Sequence, residues 1–352
     1  MTFSTPRTGL TVAVTGPTGT FGFGLVPLLE ADERITRIVG IARHAFDPSE
    51  HGWTKMTYRQ GDVRDPAALE EAFRGADVVV HLAFLITGTA SPQTTRDINL
   101  DGTINAFRAA ADAGVKRFVY ASSAAAYGFH PDNPIGMTED WPTRPAARLF
   151  YAQEKSELEQ LLADEAVGHP EIALYLLRPP IVLGPHALGA KDLLPKALTP
   201  VVRFAAGLVG RLPVRLPVLL PALPVQFIHE DDVGQALLQC IVAAGPAGAY
   251  NIAGDGVITA HDVVRELGLR PMSVPLGMAQ RTARALAAVP MPPFMPPVTE
   301  WIEATSHPVI IDTTKARRDL GWRPRYTSIE SLRATLRRPD SPSVLGVPEG
   351  QK

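Results

Sequence analysis

The first 180 residues alternate short apolar runs with segments of helical length. The runs that predict strands span residues 10–14, 35–42, 78–84 and 115–121, and a further strand is expected to end near 61–63. The helices predicted most clearly cover residues 66–73, 99–113 and 149–162. Continuous apolar strands separated by helices are typical of a parallel sheet that is covered on both faces. The pattern therefore predicts an α/β fold built on a doubly wound parallel sheet.

A glycine-rich turn joins the first predicted strand to the first predicted helix. It reads Thr15-Gly16-Pro17-Thr18-Gly19-Thr20-Phe21-Gly22, and the helix follows it despite Pro27. Glycines at such a corner let the backbone approach a pyrophosphate, which binds at the positive end of the helix. Because a strand precedes the turn and a helix follows it, the turn predicts a dinucleotide-binding loop.

The residues after the second and third strands bear on the choice of cofactor. An acid after the second strand would bind the ribose 2′-hydroxyl of NAD, whereas an arginine would bind the 2′-phosphate of NADP. The chain offers Arg43 and His44, with no acid until Asp47. The cofactor is therefore expected to be NADP or NAD, with NADP favoured, although Arg43 could equally be a solvated surface residue. Asp62 could accept from the adenine amino group, or it could cap the helix that begins at Pro66.

Three residues in the next part of the chain suit proton transfer. Tyr151 and Lys155 stand four positions apart among good helix formers, so both side chains emerge on one helix face. A nearby ammonium stabilises a phenolate, which would bring the pKa of the tyrosine below its ordinary value of about 10. Ser123 follows a strand, at the sheet edge where ligands bind. Taken alone, the pair would also suit a partly solvated helix face, and the serine would suit a turn.

Several motifs in this order resemble the extended short-chain dehydrogenase/reductase superfamily, and within it the NAD-dependent epimerase/dehydratase family that includes UDP-glucose 4-epimerase-like members. The motifs are TGPTGTFG, GDV, VHLA, Asn99, YASSAAAYG, YAQEK, LRP, VLGP, FIHEDDV, YNIAG and DTTKARRDLGW, and they cover most of the chain. The resemblance implies a Rossmann cofactor-binding domain over residues 1–180. It also implies a smaller, mainly substrate-binding α/β region over 181–338, parts of which return to the sheet. A tail rich in proline, glycine and serine, 339–352, is expected to be flexible.

The resemblance also implies a role for each matching residue. Tyr151 is expected to be the general acid/base, Lys155 to support it and to hydrogen-bond the nicotinamide ribose, and Ser123 to orient the reacting oxygen. Asn99 matches an asparagine that organises the active site. Cofactor contacts are implied for Gly16, Thr18, Gly19, Thr20, Phe21, Gly22, Asp62, Val63, Leu82, Ala83 and Pro179. The implied reaction is hydride transfer at a secondary alcohol or ketone carbon.

The chain departs from the family where sugar-nucleotide epimerases grip a diphosphate. The segment after Arg178 reads PPIVLGP and lacks the asparagine expected there, and Val225 stands where an arginine is common. Without these bidentate donors a relatively hydrophobic substrate is favoured over a UDP-hexose, although Arg211 or Arg215 could substitute. The nucleotide-sugar 4-epimerase or dehydratase therefore stays an alternative. A rival of another class is a non-catalytic regulatory protein that binds NAD(P), and the intact proton-transfer set argues against it.

Composition and charge narrow the remaining choices. A formal net charge of -2 and a pI near 6.5 give no electrostatic reason to expect nucleic acid. The single cysteine, Cys240, lies in an apolar run that predicts a packed thiol. His229 and the acids that follow it predict a helix start rather than a metal site. The N-terminus lacks a signal layout and no apolar run has the length of a membrane span, so a cytoplasmic protein is expected.

Two apolar segments broken by prolines, 187–224 and 276–297, are the least family-like. The first could be a buried helix and loop over the substrate cleft, an apolar substrate pocket or lid, or a peripheral membrane contact. The second could line an adaptable pocket through its methionines or could pack as an ordinary loop. Related enzymes often dimerise through the helices that correspond to 99–113 and 152–166, so a homodimer is one expected assembly, although the alanines at 109–111 would also suit packing within a monomer. A small molecule is the expected substrate.

Overall fold

The computed structural model describes residues 9–86, 92–144, 149–187, 216–278, 281 and 307–336. Its main feature is a seven-stranded sheet in which every neighbouring pair is parallel. In spatial order the strands are β3 (Met56–Gln60), β2 (Ile35–Ala42), β1 (Leu10–Thr15), β4 (Val78–His81), β5 (Arg117–Ala121), β6 (Ala173–Arg178) and β11 (Gly248–Asn251). The chain reverses its direction across the sheet between β1 and β4, which confirms the predicted doubly wound sheet.

Helices cover both faces of this sheet. The described α-helices are α1 (Thr20–Ala31), α2 (Pro66–Phe73), α3 (Pro92–Arg96), α4 (Gly102–Asp112), α5 (Phe150–Gly168), α6 (Glu230–Ile241), α7 (Ala260–Glu266), α8 (Thr314–Asp319) and α9 (Ser328–Leu336). Of these, α7 and α9 pack against short strands outside the main sheet. Leu25 of α1 and Leu237 of α6 belong to the core on one face, and Phe107 of α4 and Leu158 of α5 to the core on the other. Because the burial of apolar side chains is the main driving force of folding, these two cores fix the sheet between its helices.

Three short strand pairs follow in the later part of the chain. Strands β7 (Ile181–Leu183) and β10 (Phe227–His229) pair in parallel, as do β8 (Pro217–Leu220) and β13 (Arg270–Ser273). Strands β9 (Pro224–Val225) and β12 (Ile258–Thr259) pair in the antiparallel direction. The later residues thus both build small pairs of their own and return to the main sheet through β11. The predicted division near residue 180 stays a prediction.

Several predicted elements have different bounds in the structure, and two of the differences affect the site. The apolar run 78–84 forms a strand only as far as His81, because the N–H groups of Leu82 and Ala83 turn towards the Thr15 hydroxyl, each 3.2 Å from Oγ1. The helix predicted over 99–113 is preceded by a π turn, Asp97–Asp101, so Asn99 lies in that turn and not in α4. Both departures lie at the sheet edge where a ligand would bind, and the hydrophobic pattern gives no sign of them.

The segment 187–224 is described only at its two ends. Residues 216–224 contain β8 and the start of β9, and the three interpretations of the whole segment stay predictions. Residues 188–215, most of 276–297 and the tail 339–352 lie outside the described residues, as do Arg211 and Arg215. In the ranges that the structure does describe, no helix has the length and apolar character needed to cross a bilayer.

The helices expected to form a dimer interface carry ion pairs. Arg96 of α3 pairs with Glu157 of α5, and Arg108 of α4 pairs with Glu165 of α5, with N–O distances of 2.5 Å in both. These pairs join α5 to the neighbouring helices within one chain. The homodimer stays a prediction.

Candidate active site

The glycine turn after β1 is shaped by close backbone contacts. Gly16 has a φ of +68°, and a Cβ there would lie 3.0 Å from the Ala83 backbone. A Cβ on Gly22 would lie 2.0 Å from the carbonyl oxygen of Pro17, so any larger residue would push the turn apart. Gly19 caps α1 without a side-chain hydrogen bond. The positive end of the helix therefore faces the sheet edge with a backbone that an anion can approach closely.

The other predicted cofactor residues surround this turn at neighbouring strand ends. Thr18 and Phe21 are half-buried, and the buried Thr20 donates from Oγ1 to the carbonyl oxygen of His186 over 2.9 Å. Pro179 follows β6, and its carbonyl oxygen accepts from Ala124 N over 2.8 Å. The structure thus brings together the ends of β1, β4, β5 and β6, where Gly16, Leu82, Ala83, Ser123 and Pro179 lie.

A chain of hydrogen bonds crosses the site beneath these ends, centred on buried His81. Its Nδ1 lies 2.9 Å from Thr15 Oγ1, and its Nε2 lies 3.0 Å from Thr103 Oγ1. Thr103 in turn donates to the carbonyl oxygen of Asn99 over 2.6 Å. Since Thr103 uses its proton on Asn99, the histidine donates from Nε2 and accepts at Nδ1. Burial, with Lys155 second, lowers the pKa of His81 from 6.5 to about 3, so the ring is neutral at physiological pH.

Ser123, Tyr151 and Lys155 meet at the end of β5. Tyr151 lies in the first turn of α5, and its phenol hydrogen-bonds Ser123, whose Oγ also accepts from Ala125 N over 3.1 Å. Lys155 is only 3% exposed. Its Nζ donates to Tyr120 Oη over 3.0 Å and to the carbonyl oxygen of Ala121 over 2.8 Å. The three predicted residues therefore lie on one side of the sheet edge, within a buried setting rather than on a solvated helix face.

The electrostatics of this pair differ from the expectation. Burial raises the pKa of the Tyr151 phenol above its ordinary value of 10.0, and the bond with Ser123 offsets only part of the rise. Burial also lowers the pKa of Lys155 from 10.5 to about 7, with Glu159 and Glu154 acting in the opposite direction. The prediction of a lowered tyrosine pKa is therefore wrong for the chain alone. The cause is burial, and the lysine is directed to Tyr120 and Ala121, with its Nζ 5.9 Å from the centre of the Tyr151 ring.

Asn99 holds the backbone that follows β4. Its Oδ1 accepts from Leu85 N over 2.7 Å, and its Nδ2 donates to the carbonyl oxygen of Leu85 over 2.9 Å. The same Nδ2 donates to Glu154 Oε2 over 2.7 Å. Phe84, one residue earlier, lies with its ring centre 3.7 Å from Lys155 Nζ. Asn99 therefore connects the β4 end to the helix of Tyr151 and Lys155.

The sequence did not predict a second buried network of hydrogen bonds, although Arg178, its central residue, lies in the LRP motif. Arg178 binds Glu159 through Nε and Nη2, the shortest contact being 2.6 Å, and donates from Nη1 to Tyr127 Oη over 2.7 Å. Ser122 also donates to Glu159. Tyr127 donates to Asn251 Oδ1 over 2.8 Å. The network ties α5 to β5, β6 and β11, and only the folded sheet brings its members together.

The expected adenine end of the site contains Arg43, Asp62 and Val63. Arg43 is exposed after β2. Asp62 does not cap α2, because Asp65 does so by accepting from the first helical N–H groups. Asp62 instead binds Arg64, which with Arg43 holds the pKa of its carboxyl below the ordinary value. Val63 is buried, and a Cβ on Gly102 would lie 2.5 Å from its Cγ2.

The interpretation of His229 as part of a helix start is confirmed. Its Nδ1 accepts from Asp231 N over 3.2 Å as the N-cap of α6, and its ring stacks on Tyr326 with centres 4.0 Å apart. Cys240 is a buried free thiol whose pKa is raised by burial, as a packed cysteine should be. Within the described ranges, no three His, Cys, Asp or Glu side chains are grouped so that they could hold a metal ion.

The geometry fits a nicotinamide dinucleotide. The tight turn at Gly16 and Gly22 would admit a pyrophosphate to the uncapped start of α1. The strand ends at Ala83, Ser123 and Pro179 would lie along the remainder of the molecule, at the switch point between β1 and β4 where ligands bind in doubly wound sheets. Lys155 and Tyr151 would then face the reactive end.

Comparisons with known proteins agree with this geometry. An uncharacterised protein of Mycobacterium tuberculosis (strain H37Rv) is 26% identical over 93% of this chain and 83% of its own length. A bifunctional UDP-glucose 4-epimerase and UDP-xylose 4-epimerase of Arabidopsis thaliana is 26% identical over 89% of this chain and 87% of its own.

Solved structures share the fold. The dTDP-glucose 4,6-dehydratase of Streptomyces venezuelae, solved with NAD, superposes with a TM-score of 0.67 at 22% identity, covering 92% to 93% of this chain and 95% of that one. The UDP-glucose 4-epimerase of Thermotoga maritima, solved with UDP-glucose, gives a TM-score of 0.67 at 19% identity, over 93% of this chain and 97% of that one. The model of the NAD dependent epimerase/dehydratase family matches residues 12–253, well over half of the chain. The chain therefore belongs to the NAD-dependent epimerase/dehydratase family of enzymes.

Proposed function

We propose that the protein is an NAD(P)-dependent oxidoreductase or epimerase in which Tyr151 moves the proton that accompanies hydride transfer at a secondary alcohol or ketone carbon. One observation carries the proposal: Ser123, Tyr151 and Lys155 lie together beside the glycine turn, at the carboxyl edge of the sheet. The dinucleotide supplies the hydride chemistry when it is bound.

Each side chain has one task in this reaction. In the oxidation direction Tyr151 accepts the proton of the substrate hydroxyl at Oη, and in the reduction direction it returns a proton to the carbonyl oxygen. Ser123, already bonded to that phenol, holds the reacting oxygen in line. We assign to the ammonium of Lys155, whose Nζ lies 5.9 Å from the centre of the Tyr151 ring, the stabilisation of the phenolate that forms during the reaction.

The substrate is proposed to be relatively hydrophobic. Support comes from apolar side chains that stay exposed outside the main sheet, such as Leu219 at 67% and Ile86 at 48%. Val225 is half-buried on β9, where the family resemblance would place an arginine for a diphosphate. The rival substrate is a nucleotide sugar, which the Arabidopsis and Thermotoga relatives are named for.

One assay tests both the chemistry and the substrate class. Absorbance of the reduced nicotinamide is followed with panels of apolar secondary alcohols and ketones, and epimerisation of UDP-glucose is measured in parallel. Tyr151→Phe is expected to lower kcat by about 10²–10⁴-fold on any substrate found, since it removes the acid/base and keeps the ring. Tyr326→Phe, whose ring stacks on His229, is the matched control and should keep its activity.

Each other outcome has a definite meaning. Full activity in Tyr151→Phe would show that the catalytic assignment is wrong. Turnover of UDP-glucose would replace the hydrophobic substrate by a nucleotide sugar. Tight cofactor binding with no turnover of any compound would favour the regulatory rival.

We further propose that NADP is the preferred dinucleotide. The support is Arg43, an exposed cation directly after β2, with no acid until Asp47. Arg43→Asp should weaken NADPH binding by about tenfold or more relative to NADH, because it replaces a charged hydrogen-bond donor to the 2′-phosphate by a like charge. Fluorescence titration of both cofactors measures the ratio, and Arg37→Asp, on the same strand but away from its end, is the control. An unchanged ratio would remove Arg43 from cofactor choice.

A further inference from the structure

Glu154 is a buried carboxylate on α5, and in the sequence it stands between the two proposed proton-transfer residues. It is 1% exposed. Its Oε2 accepts from Asn99 Nδ2 over 2.7 Å, whereas its Oε1 is buried without a hydrogen-bond partner among the described residues. A buried carboxylate with one unpaired oxygen costs free energy. Packing alone gives no reason for such a group at this place.

The contacts of Glu154 connect it, through Asn99 and the backbone at 84–85, to the surroundings of Lys155. Asn99, which holds Oε2, also binds both backbone groups of Leu85. The preceding Phe84 places its ring centre 3.7 Å from Lys155 Nζ and 5.6 Å from the centre of the Tyr151 ring. A shift of Glu154 would therefore move the backbone at the end of β4 and the apolar wall of Lys155 together.

Among the described residues no cation forms an ion pair with Glu154; burial raises the pKa of its carboxyl, while the bond from Asn99 and the charges of Arg96 and Lys155 lower it. Glu159, the other carboxylate that acts on Lys155, is already bound by Arg178 and Ser122. Arg96, which lies close enough to favour ionised Glu154, forms its ion pair with Glu157. The titratable groups that face Lys155 and Glu154 are His81 on β4, Tyr120 on β5, Arg96 on α3, and Tyr151, Glu157 and Glu159 on α5.

We propose that Glu154 is a positioning residue for the reaction, an inference that rests on the proposed function of Tyr151 and Lys155. Its carboxylate locks α5 to the end of β4 through Asn99, and its negative charge holds Lys155 as an ammonium beside Tyr151. Glu159, which is bound by Arg178 and Ser122, also favours the charged form of Lys155, and Glu154 adds a second negative charge. Burial lowers the pKa of Lys155 to about 7, so the charge of the lysine depends on such a neighbour at neutral pH.

Glu154→Gln tests the proposal, because glutamine keeps the shape and the bond to Asn99 but removes the charge. The titration of Lys155 is followed by NMR on protein with isotope-labelled lysine, which is practical because the chain has only seven lysines. The signal is assigned by its loss in Lys155→Met. Lys155 is expected to lose its proton at a pH lower by about one unit in Glu154→Gln. The alkaline limb of kcat should move by the same amount, with KM little changed.

Two further variants separate charge from shape. Glu154→Asp keeps the charge on a shorter side chain and should leave the Lys155 titration near that of the parent protein. Glu157→Gln removes the ion-paired carboxylate one turn away and should leave both the titration and the alkaline limb unchanged. If Glu154→Gln does not fold, the Asp variant still decides: a Lys155 titration displaced as far as a lost charge would displace it overturns the electrostatic role.

The outcomes also separate this inference from the proposed function. An unmoved Lys155 signal in folded Glu154→Gln overturns the inference, whatever Tyr151→Phe does. A Lys155 signal that moves while the alkaline limb of kcat stays in place also overturns it, since Glu154 would then be only a structural residue. Full activity in Tyr151→Phe, by contrast, would remove the proposed function and leave the NMR result intact.

Discussion

The carboxyl edge of the sheet and the strand pair β8–β13 place their side chains in opposite ways. At the edge, His81, Asn99 and Lys155 are at most 3% exposed, although each is polar or charged. On the strand pair, Leu219 is 67% exposed and Met272 is 46% exposed, although both are apolar. The usual distribution of residue types is therefore reversed in both regions.

The difference indicates which part of the function each region determines. Buried polar groups are stable only when they are hydrogen-bonded, so each group in the network orients its neighbour. Thr15 is hydrogen-bonded to His81, and His81 is connected to Asn99 through Thr103. Such a network sets one geometry and hence one type of reaction. An exposed apolar strand pair sets no such geometry, and under the proposed function it is a candidate surface for a hydrophobic substrate.

The largest effect is expected where the buried network is cut. His81→Ala should lower the free energy of unfolding by about 2–4 kcal/mol at neutral pH, because Thr15 and Thr103 both lose a buried partner. Urea denaturation measures the change. His44→Ala, at an exposed position after β2, is the matched control and should stay within about 0.5 kcal/mol. Equal effects of the two variants would contradict the importance of the network.

The same variant has a pH signature. The pKa of His81 falls from 6.5 to about 3 on burial, so between these values the unfolded chain binds a proton that the native chain does not. Acidification through this window therefore lowers the stability of the parent protein, by up to about 1.4 kcal/mol per pH unit. His81→Ala lacks this loss, and the gap between the two proteins should narrow as the pH falls. A gap that is constant with pH would show that His81 is protonated in the fold.

The sequence predicted the central strands β1, β4 and β5 well because they are largely buried on both faces, whereas β6 and β11 were not predicted as strands. The bounds 35–42 and 66–73 agree with β2 and α2 residue for residue. A strand that is buried on both faces appears as an uninterrupted apolar run, as in β4, and a proline with a preceding aspartate marks the start of α2. The glycine turn was predicted equally well, because close backbone contacts at positions 16 and 22 require glycine.

The electrostatics of the site could not be predicted in this way. Periodicity makes Glu154, Lys155 and Glu159 look like a solvated helix face, yet all three are at most 5% exposed. Their partners stand far away in the sequence, with Asn99 before the helix and Arg178 after it. Burial also reversed the expected direction for the pKa of Tyr151, because desolvation depends on the packing of strands that a local pattern does not reveal.

The smallest effect is expected on the exposed strand pair. Leu219→Ala should change the free energy of unfolding by less than about 0.5 kcal/mol, because the side chain gives up little burial. Leu237→Ala, in the fully buried core of α6, removes the same atoms and should cost about 2–5 kcal/mol. Thermal or urea unfolding of both variants measures the contrast. A rise in KM with unchanged stability in Leu219→Ala would connect this surface with an apolar substrate. A loss of stability as large as that of Leu237→Ala would mean that Leu219 is covered in solution. The strand pair would then not be an exposed apolar surface, and only the sheet edge would show an unusual distribution of residue types.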